Sequence, residues 1–351
     1  MHVLRLGTET LTDAPVAGQS VLVTGASGFI GGHLVRSLTA RGCRVACLVR
    51  ATSRVDELRA MGAELIVCEI ADREAVARAV TSVNARVVFH VAGRVRAIEP
   101  ADFMQANAEV VETVAQACTE QRVRPVLVLV SSLAAGGPSK ERPTSESDPP
   151  APVSDYGRSK LAGEERAMKF AEALPITVVR PCIVFGTGDR GMFEVFRPIA
   201  RSGPHVVAGS GERRVSLVAV ADLVECLILA AENGERLTPG IPGKGLYFCA
   251  AEDLSQVELG MAIAHALGKP PPRMVHLPDW SMLAIGGFGT LMARIRRRPV
   301  WVGRDKVREI LAGSWTCSSA KARQQLGWSP AAPLADRLRE TAQGYRDAHW
   351  L

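Results

Sequence analysis

The sequence predicts an α/β protein with a doubly wound (Rossmann) parallel sheet and a smaller, discontinuous α/β substrate lobe. Three observations carry this prediction. A glycine-rich turn follows a short apolar run near residue 21, strand-like and helix-like segments then alternate as far as residue 186, and the pattern becomes irregular afterwards. Alternating strands and helices are typical of parallel sheets covered by helices on both faces.

The glycine turn is the feature around which the first half of the chain is arranged. Residues 21–23 are apolar and suit a buried strand, and Gly25, Gly28 and Gly31 follow at intervals of three. Glycines permit positive φ angles, close approach of a pyrophosphate and tight packing of helix on strand. The spacing is one residue wider than the usual dinucleotide fingerprint. The turn therefore predicts a nucleotide site, with a purely structural strand–turn–helix as the alternative.

The next segments follow in regular order. After the first strand, periodicity and turn residues predict helices and strands in alternation. The predicted helices are 29–41, 54–61, 72–82, 101–121 and 156–173, and the predicted strands are 44–49, 64–68, 86–91, 125–132 and 176–185. A strand at 214 leading into a helix to 231 predicts a return to the sheet.

The residues after the second strand bear on the choice of cofactor. An acidic residue at this point binds the adenosine ribose in NAD-dependent units. Here the sequence offers Arg50, Ser53 and Arg54 and no acid. Because arginine grips phosphate through charge-assisted hydrogen bonds, NADP(H) is favoured over NAD(H). The alternative is that both arginines only flank the next helix.

Composition excludes several classes of protein. The chain has 351 residues, 47% hydrophobic, with a net charge of +6 and only 5% aromatic residues. Basic clusters without interleaved aromatics do not predict nucleic-acid binding. The eight cysteines lack metal-ligand spacing, so we expect reduced core cysteines, no metal site and a cytoplasmic location. The first twenty residues match neither a signal peptide nor a membrane anchor.

Polar residues near strand ends are candidates for chemistry. Two hydroxyls end the fifth strand, and strand alternation favours Ser132 over Ser131 for the site. Tyr156 and Lys160 share one face of the helix that follows a long loop, although such a pair is also common on surfaces. His90 lies in an apolar run, where a core histidine is favoured over a catalytic one.

The glycine turn, the Ser-Ser strand end and Tyr-x-x-x-Lys, in this order, resemble the extended short-chain dehydrogenase/reductase family. The branch with hydroxysteroid dehydrogenases, dihydroflavonol reductases and cinnamoyl-CoA reductases is the most similar, on residues 131–138 and 48–52. The resemblance implies Ser132, Tyr156 and Lys160 as catalytic residues. It further implies cofactor contacts for Gly25, Ser27, Gly28, Phe29, Ile30, Gly31, Arg50, Ser53, Arg54, Glu69, Ile70, Ala92, Gly93, Tyr156, Lys160, Pro181 and Ile183.

The predicted function is NADPH-dependent reduction of a ketone or aldehyde of an apolar small molecule, or the reverse oxidation. Tyr156 would be the acid, with its pKa lowered by Lys160 and by the oxidised nicotinamide. Ser132 would hold the substrate oxygen, and Lys160 the cofactor ribose. A nucleotide-sugar epimerase or dehydratase is one alternative, against which Gly136, Gly137 and the Phe185–Gly186 pair argue. A non-catalytic NADP-sensing protein is another.

The remaining expectations concern organisation. We expect a Rossmann domain over 19–186 plus about 213–236, a substrate lobe over about 187–212 plus 237–351, an N-terminal extension over 1–18 and a homodimer. Residues 280–298 are apolar and then basic, and packing within the lobe is favoured over contact with a membrane surface. The residues expected to line the substrate site are Arg94, Ala134, Phe185, Met192 and Phe193.

Overall fold

The computed structural model describes residues 15–351, and a seven-stranded parallel sheet lies at its centre. The strand order is β10-β6-β5-β4-β1-β2-β3. These strands are β1 (Ser20–Thr24), β2 (Arg44–Val49), β3 (Glu64–Val67), β4 (Val87–His90), β5 (Val126–Val130), β6 (Ile176–Pro181) and β10 (Leu246–Cys249). The order reverses between β1 and β4, and ligands of doubly wound sheets bind at such a switch point.

Helices cover both faces of this sheet, as the predicted fold class requires. One apolar core joins the sheet to α1 (Phe29–Ala40) and α9 (Val220–Asn233). The other joins it to α3 (Arg73–Ser82), α5 (Val110–Thr119) and α7 (Asp155–Met168). Three short helices complete this part: α2 (Asp56–Ala60), α4 (Pro100–Met104) and α6 (Leu133–Gly136). A buried layer on each face is the doubly wound architecture.

Two small sheets and six further helices follow in the rest of the described chain. The strands are β7 (Ile183–Phe185), β8 (His205–Ala208), β9 (Arg214–Ala219), β11 (Glu252–Ser255) and β12 (Met274–Leu277). They pair in the orders β11-β9-β7 and β12-β8. The helices are α8 (Arg190–Ala200), α10 (Gln256–Leu267), α11 (Asp279–Arg296), α12 (Arg304–Leu311), α13 (Ala320–Leu326) and α14 (Leu334–Asp347).

Two details of the predicted organisation need correction. Strand β10 lies in the range assigned to the substrate lobe, yet it pairs with β6 and forms an edge of the main sheet. The predicted strand 176–185 is two strands, because the chain leaves the main sheet at Cys182 and β7 pairs with β9 instead. Strand β9 therefore belongs to the smaller sheet, and of the predicted strand and helix over 214–231 only the helix, α9, packs on the main sheet.

The predicted N-terminal extension lies mostly outside the described residues, which begin at 15. Its described part packs on the sheet domain: Val16 is buried, and its backbone N–H donates to Glu232 over 2.7 Å. No helix within residues 15–351 is long and apolar enough to cross a bilayer.

Candidate active site

The glycine turn brings the end of β1 against the end of β4. Gly25 has φ +71°, and a Cβ atom there would lie 2.6 Å from the backbone nitrogen of Ala92. A Cβ on Gly31 would lie 2.1 Å from the carbonyl oxygen of Gly25. Because no side chain fits either gap, glycine is required at both positions. The turn and Ala92, predicted separately as cofactor contacts, thus lie side by side.

Helix α1 begins at this turn with free backbone N–H groups. Gly28 is its N-cap residue, no side chain caps the helix, and its first turn has no acid. Ser27 and Gly28 are exposed, whereas Phe29 and Ile30 are partly buried. An uncapped helix N-terminus is suited to an anion such as a pyrophosphate.

Two exposed arginines follow the strand next to this turn. Arg50 and Arg54 are exposed after β2, the neighbour of β1, and neither forms an ion pair with any residue in 15–351. The Ser53 hydroxyl accepts the Arg50 backbone N–H over 3.1 Å, which fixes the bend between them. After the next strand, Glu69 is exposed and Ile70 half-buried. These positions border the sheet edge where an adenosine would lie.

Ser132, Tyr156 and Lys160 come together beside the ends of β4 and β5. Ser132 is the N-cap of α6, its hydroxyl accepts the Ala134 backbone N–H over 3.1 Å, and it lies close enough to Tyr156 to lower the pKa of the phenol. Lys160 is buried, and its Nζ donates to the Val130 carbonyl over 2.7 Å. A Cβ on Gly93 would lie 3.6 Å from that Nζ. The hydroxyl groups of Ser132 and Tyr156 and the ammonium group of Lys160 therefore lie in one region of the structure.

The environment of Tyr156 corrects the expected direction of its pKa. Burial raises the pKa of Tyr156 to about 12, the nearby Ser132 side chain opposes this rise, and the Glu309 carboxylate adds to it. Burial lowers the pKa of Lys160 to about 8, and nearby Glu164 opposes that shift. Desolvation of the phenol is the largest contribution, so Tyr156 keeps its proton at neutral pH and can act as an acid.

Asn107 is a site residue that the sequence reasoning missed. It lies in a π-helical turn, Gln105–Glu109, between α4 and α5, and it is buried. Its amide accepts the Arg94 backbone N–H over 2.7 Å and donates to the Arg94 carbonyl and the Ser159 hydroxyl over 2.9 Å each. It thereby ties the loop after β4 to the catalytic helix. The sequence signal that could have identified this residue is a single asparagine between two alanines in a predicted helix.

A buried ion pair between β6 and α7 holds the helix that carries Tyr156 and Lys160. Arg180 on β6 donates from Nε and Nη2 to the Glu164 carboxylate over 2.9 and 2.6 Å. The Ser131 hydroxyl donates to the same carboxylate. Ser131 therefore faces away from Tyr156, as strand alternation predicted. Glu164 lies one helical turn after Lys160, so this pair links the catalytic helix to the sheet.

His90 is a core residue in this structure. It is 1% exposed, and its Nδ1 shares a 2.9 Å hydrogen bond with the Thr24 hydroxyl. Burial, with a smaller contribution from Lys160, lowers the pKa of His90 to about 3. A neutral imidazole buried between β1 and β4 fits the structural interpretation rather than the catalytic one.

A cleft of about 560 Å³ opens beside Ser132 and Tyr156. Its apolar lining includes Ile98, Phe103 and Trp301. Ala134 lines it as predicted, and so does Ile183, which was expected to contact the cofactor. Arg96 stacks 3.6 Å above the Trp301 ring and joins two loops across the cleft. The volume suits one small organic molecule.

Four of the predicted lining residues lie elsewhere. Phe185, Met192 and Phe193 pack in a separate core with Tyr345, because β7 and α8 turn their apolar side chains toward α14. Arg94 is not among the residues that line the cleft; its side chain approaches Asp102 to 3.9 Å. Pro181, predicted as a cofactor contact, is buried as the last residue of β6. The cleft wall comes instead from the loop after β4 and from α11 and α12.

Known proteins resemble this chain over nearly its whole length. Ceramide reductase of Caulobacter vibrioides is 31% identical over 331 residues, covering 94% of this chain and 96% of that protein. UDP-glucose 4-epimerase of Vibrio cholerae is 24% identical and covers 94% and 97%. The crystal structure of gox2253 superposes with a TM-score of 0.77 at 26% identity, covering 95% and 99%.

The family assignment follows from the turn, the strand order and these matches together. The family model described as NAD dependent epimerase/dehydratase matches residues 21–241, which include the glycine turn, Ser132, Tyr156 and Lys160. Both reductases and epimerases occur among the relatives. The chain is an enzyme that uses a nicotinamide cofactor, and it belongs to the NAD-dependent epimerase/dehydratase family of extended short-chain dehydrogenases/reductases.

Proposed function

We propose that this enzyme reduces a ketone or aldehyde of an apolar small molecule to an alcohol with NADPH, or catalyses the reverse oxidation. The observation that carries the proposal is the position of Ser132 and Tyr156, which lie near each other on the wall of a cleft whose lining also includes Ile98, Phe103 and Leu133. A carbonyl group held there would meet two hydroxyl donors, which is the arrangement that stabilises a developing alkoxide.

The proton chemistry follows from the environments of the side chains. When bound, the nicotinamide supplies the hydride that is added to the carbonyl carbon. The Tyr156 hydroxyl, whose pKa is about 12, stays protonated at neutral pH and gives its proton to the carbonyl oxygen. The Ser132 hydroxyl donates a hydrogen bond to the same oxygen and fixes its angle. Tyr156 then regains a proton from solvent.

Lys160 supplies the positive charge of the site. With a pKa of about 8 it is largely protonated near pH 7, and its Nζ lies beside Gly93 at the end of β4. Its proposed role is to hold the cofactor ribose hydroxyls and to stabilise the Tyr156 phenolate that forms after proton transfer. Asn107 keeps the strand end and the helix at a fixed distance.

The preference for NADP(H) is proposed on the exposed pair Arg50 and Arg54. Both guanidinium groups lie after β2 without an ion-pair partner among residues 15–351, which leaves their donors available to a 2′-phosphate. The uncapped start of α1 suits the pyrophosphate.

Reduction of an apolar carbonyl is favoured over the epimerase alternative by the apolar part of the cleft lining and by one relative. Ile98, Phe103 and Val300 offer apolar surface to a substrate, and the charged side chains of Arg213, Lys306 and Arg308 line the same cleft. The ceramide reductase relative, at 31% identity, supports a reductase that takes an apolar substrate.

The test is a panel of ketones, enones, aldehydes and hydroxysteroids assayed with NADPH for loss or gain of its absorbance. At least one member is expected to turn over, and Tyr156→Phe is expected to abolish that rate while NADPH binding survives. Ser132→Ala and Ser131→Ala form a matched pair, of which only the first should lower kcat by about a hundredfold, as for loss of one oxyanion donor. A Tyr156→Phe enzyme at full rate would refute the mechanism, and UDP-sugar interconversion without net NADPH loss would establish the epimerase.

A further inference from the structure

Helix α11 (Asp279–Arg296) presents an unusual surface to solvent. Its large apolar side chains Trp280, Leu283, Phe288, Leu291 and Ile295 are exposed, with Trp280, Phe288 and Ile295 at 72%, 65% and 64%. They recur at intervals of three to five residues, so they form one stripe along the helix. We call this stripe, with the intervening Ala284 and Gly287, the apolar face of α11.

The exposure of this face does not result from loose packing of the helix. The opposite side of α11 is buried against α12 and the loop before it: a Cβ on Gly286 would lie 2.7 Å from Val307 of α12, and one on Gly289 would lie 2.1 Å from the Val302 carbonyl oxygen in the loop. Met282 and Ala293 are buried on the same side. The helix is therefore fixed in its orientation, and its apolar face is held outward.

Basic residues follow the apolar face at its C-terminal end. Arg296, Arg297 and Arg298 are exposed and form no ion pair with any residue in 15–351, while Arg294 pairs with Glu99. No acidic residue lies between 280 and 303. Apolar surface next to uncompensated arginines is complementary to hydrocarbon beside anionic headgroups.

We infer that α11 docks this enzyme on an anionic membrane surface, with the apolar face lying in the plane of the bilayer and Arg296, Arg297 and Arg298 at the lipid phosphates. The helix is 18 residues long and not apolar enough to span a membrane. Trp280 stands at the start of the stripe, and tryptophan is favoured at the boundary between headgroups and acyl chains.

The charge around the apolar face of α11 favours a membrane over a second copy of the chain as its binding partner. Two α11 helices packed face to face would bring up to six arginines that have no ion-pair partner within residues 15–351 into one interface. The nearest acid on the helix, Asp279, already pairs with Arg213 over 2.7 Å. A bilayer containing anionic lipid supplies both the apolar layer and the counter-charge.

Helix α11 also forms part of the wall of the cleft. Thr290, Ala293 and Arg294 lie off the apolar face and line the cleft that Tyr156 also lines, so docking through the apolar face would hold the cleft close to the membrane surface. An apolar molecule that leaves the bilayer would then have a short path to the cleft. The docking itself does not depend on the proposed reaction and is tested without it.

The test is co-sedimentation of the full chain with vesicles of phosphatidylcholine alone or mixed with phosphatidylglycerol. We expect binding to the mixed vesicles, weaker binding at high salt and little binding to phosphatidylcholine alone. Leu283→Ser/Phe288→Ser/Leu291→Ser should lower the bound fraction at least tenfold. The control Val123→Ser/Ile241→Ser/Met261→Ser removes exposed apolar side chains elsewhere and should bind like the intact chain.

A second set of variants examines the charges and the tryptophan. Arg296→Gln/Arg297→Gln/Arg298→Gln should remove the preference for phosphatidylglycerol, whereas Arg122→Gln/Arg124→Gln/Arg201→Gln should keep it. A blue shift of tryptophan fluorescence on mixed vesicles should be lost in Trp280→Phe. Failure of the intact chain to bind mixed vesicles at low salt overturns the inference, as does full binding by the apolar triple variant. Loss of a dimer in that variant, without vesicle binding by the intact chain, would assign the face to a second copy.

Discussion

The Asp305 carboxylate accepts the backbone N–H of Tyr156 over 3.2 Å, and that of Asp155 over 2.7 Å. Asp305 lies at the start of α12, so an element near the end of the chain caps the helix that carries the proposed acid. Glu309 of the same helix accepts the Ser154 hydroxyl over 2.7 Å. Because α12 also packs on α11, a continuous set of contacts joins the apolar face of α11 to the backbone of Tyr156.

We first predict that Asp305→Ala lowers both stability and turnover. Two helix N–H groups lose their acceptor, which costs about 1 kcal/mol as for a lost N-cap. The backbone of Tyr156 is then held less firmly, and kcat should fall about tenfold or more because small displacements of reacting groups are costly. Urea denaturation and steady-state kinetics measure the two effects.

Asp305→Asn provides the matched comparison because its amide oxygen still accepts a hydrogen bond. We expect it to recover most of kcat, while Asp336→Ala on the surface of α14 leaves kcat unchanged. Equal kcat for Asp305→Ala and the intact enzyme would mean that the cap does not position Tyr156.

A second prediction concerns the buried charge of Lys160. Burial lowers the pKa of Lys160 from 10.5 to about 8, so the charged form is disfavoured in the folded state by roughly 3 kcal/mol. Lys160→Met should therefore abolish turnover yet leave the protein as stable as the intact enzyme at pH 7, or more stable. Urea denaturation of both proteins at a series of pH values measures this.

The pH dependence of that difference has a definite sign. Between pH 8 and 10.5 the unfolded chain keeps the Lys160 proton that the folded chain has lost, so the stability of the intact enzyme rises with pH through this window. The advantage of Lys160→Met should be largest below pH 8 and shrink toward pH 10.5. A constant difference over that range would contradict the lowered pKa. Lys269→Met, at an exposed position, should show no such trend.

A third prediction uses the Glu164–Arg180 pair. Removing one member leaves the other as a buried, unpaired charge, so Arg180→Leu or Glu164→Leu should cost about 3–5 kcal/mol. The double variant should cost less than either single variant, because it leaves no charge behind. Chemical denaturation of the four proteins gives the coupling energy.

The exposed pair Arg339–Asp336 serves as the control cycle. Its side chains are largely exposed, and we expect a coupling energy below about 1 kcal/mol. If the Glu164–Arg180 cycle were equally small, this pair would not be the link between α7 and the sheet. Lys160 would then owe its position to the Val130 carbonyl alone.

The sequence was sufficient for the parts of the fold that depend on local pattern. Each strand from β1 to β6 overlaps its predicted segment, since buried parallel strands are continuous apolar runs between turn residues. Strand β10 was not recognised as part of the sheet, because four apolar residues do not reveal a partner nearly seventy residues earlier. The π-helical turn at Asn107 is likewise invisible to a helical period.

In the candidate site, too, the residues set by local sequence were predicted, and those set by tertiary packing were not. Ser132, Tyr156, Lys160 and the glycine turn were named from short motifs whose spacing reflects one helix or one turn. Phe185, Met192 and Phe193 were expected at the substrate and lie in a core, because the direction of an apolar side chain is decided by the packing of α8 against α14. Asp305 and Glu309 escaped notice since they reach α7 from about 150 residues away.

The last prediction concerns the cofactor and rests on Arg50. If its guanidinium holds a 2′-phosphate, Arg50→Asp removes a charge-assisted hydrogen bond worth about 1.5–3 kcal/mol and adds repulsion. KM for NADPH should then rise at least tenfold, while KM for NADH, which has no such phosphate, stays nearly unchanged. Arg59→Asp, an exposed arginine on α2, makes the same change of net charge at a distance and should alter both constants little. If KM for NADPH and KM for NADH changed together in Arg50→Asp, Arg50 would not be the residue that binds the 2′-phosphate. The same measurements on Arg54→Asp would then show whether the neighbouring guanidinium binds it.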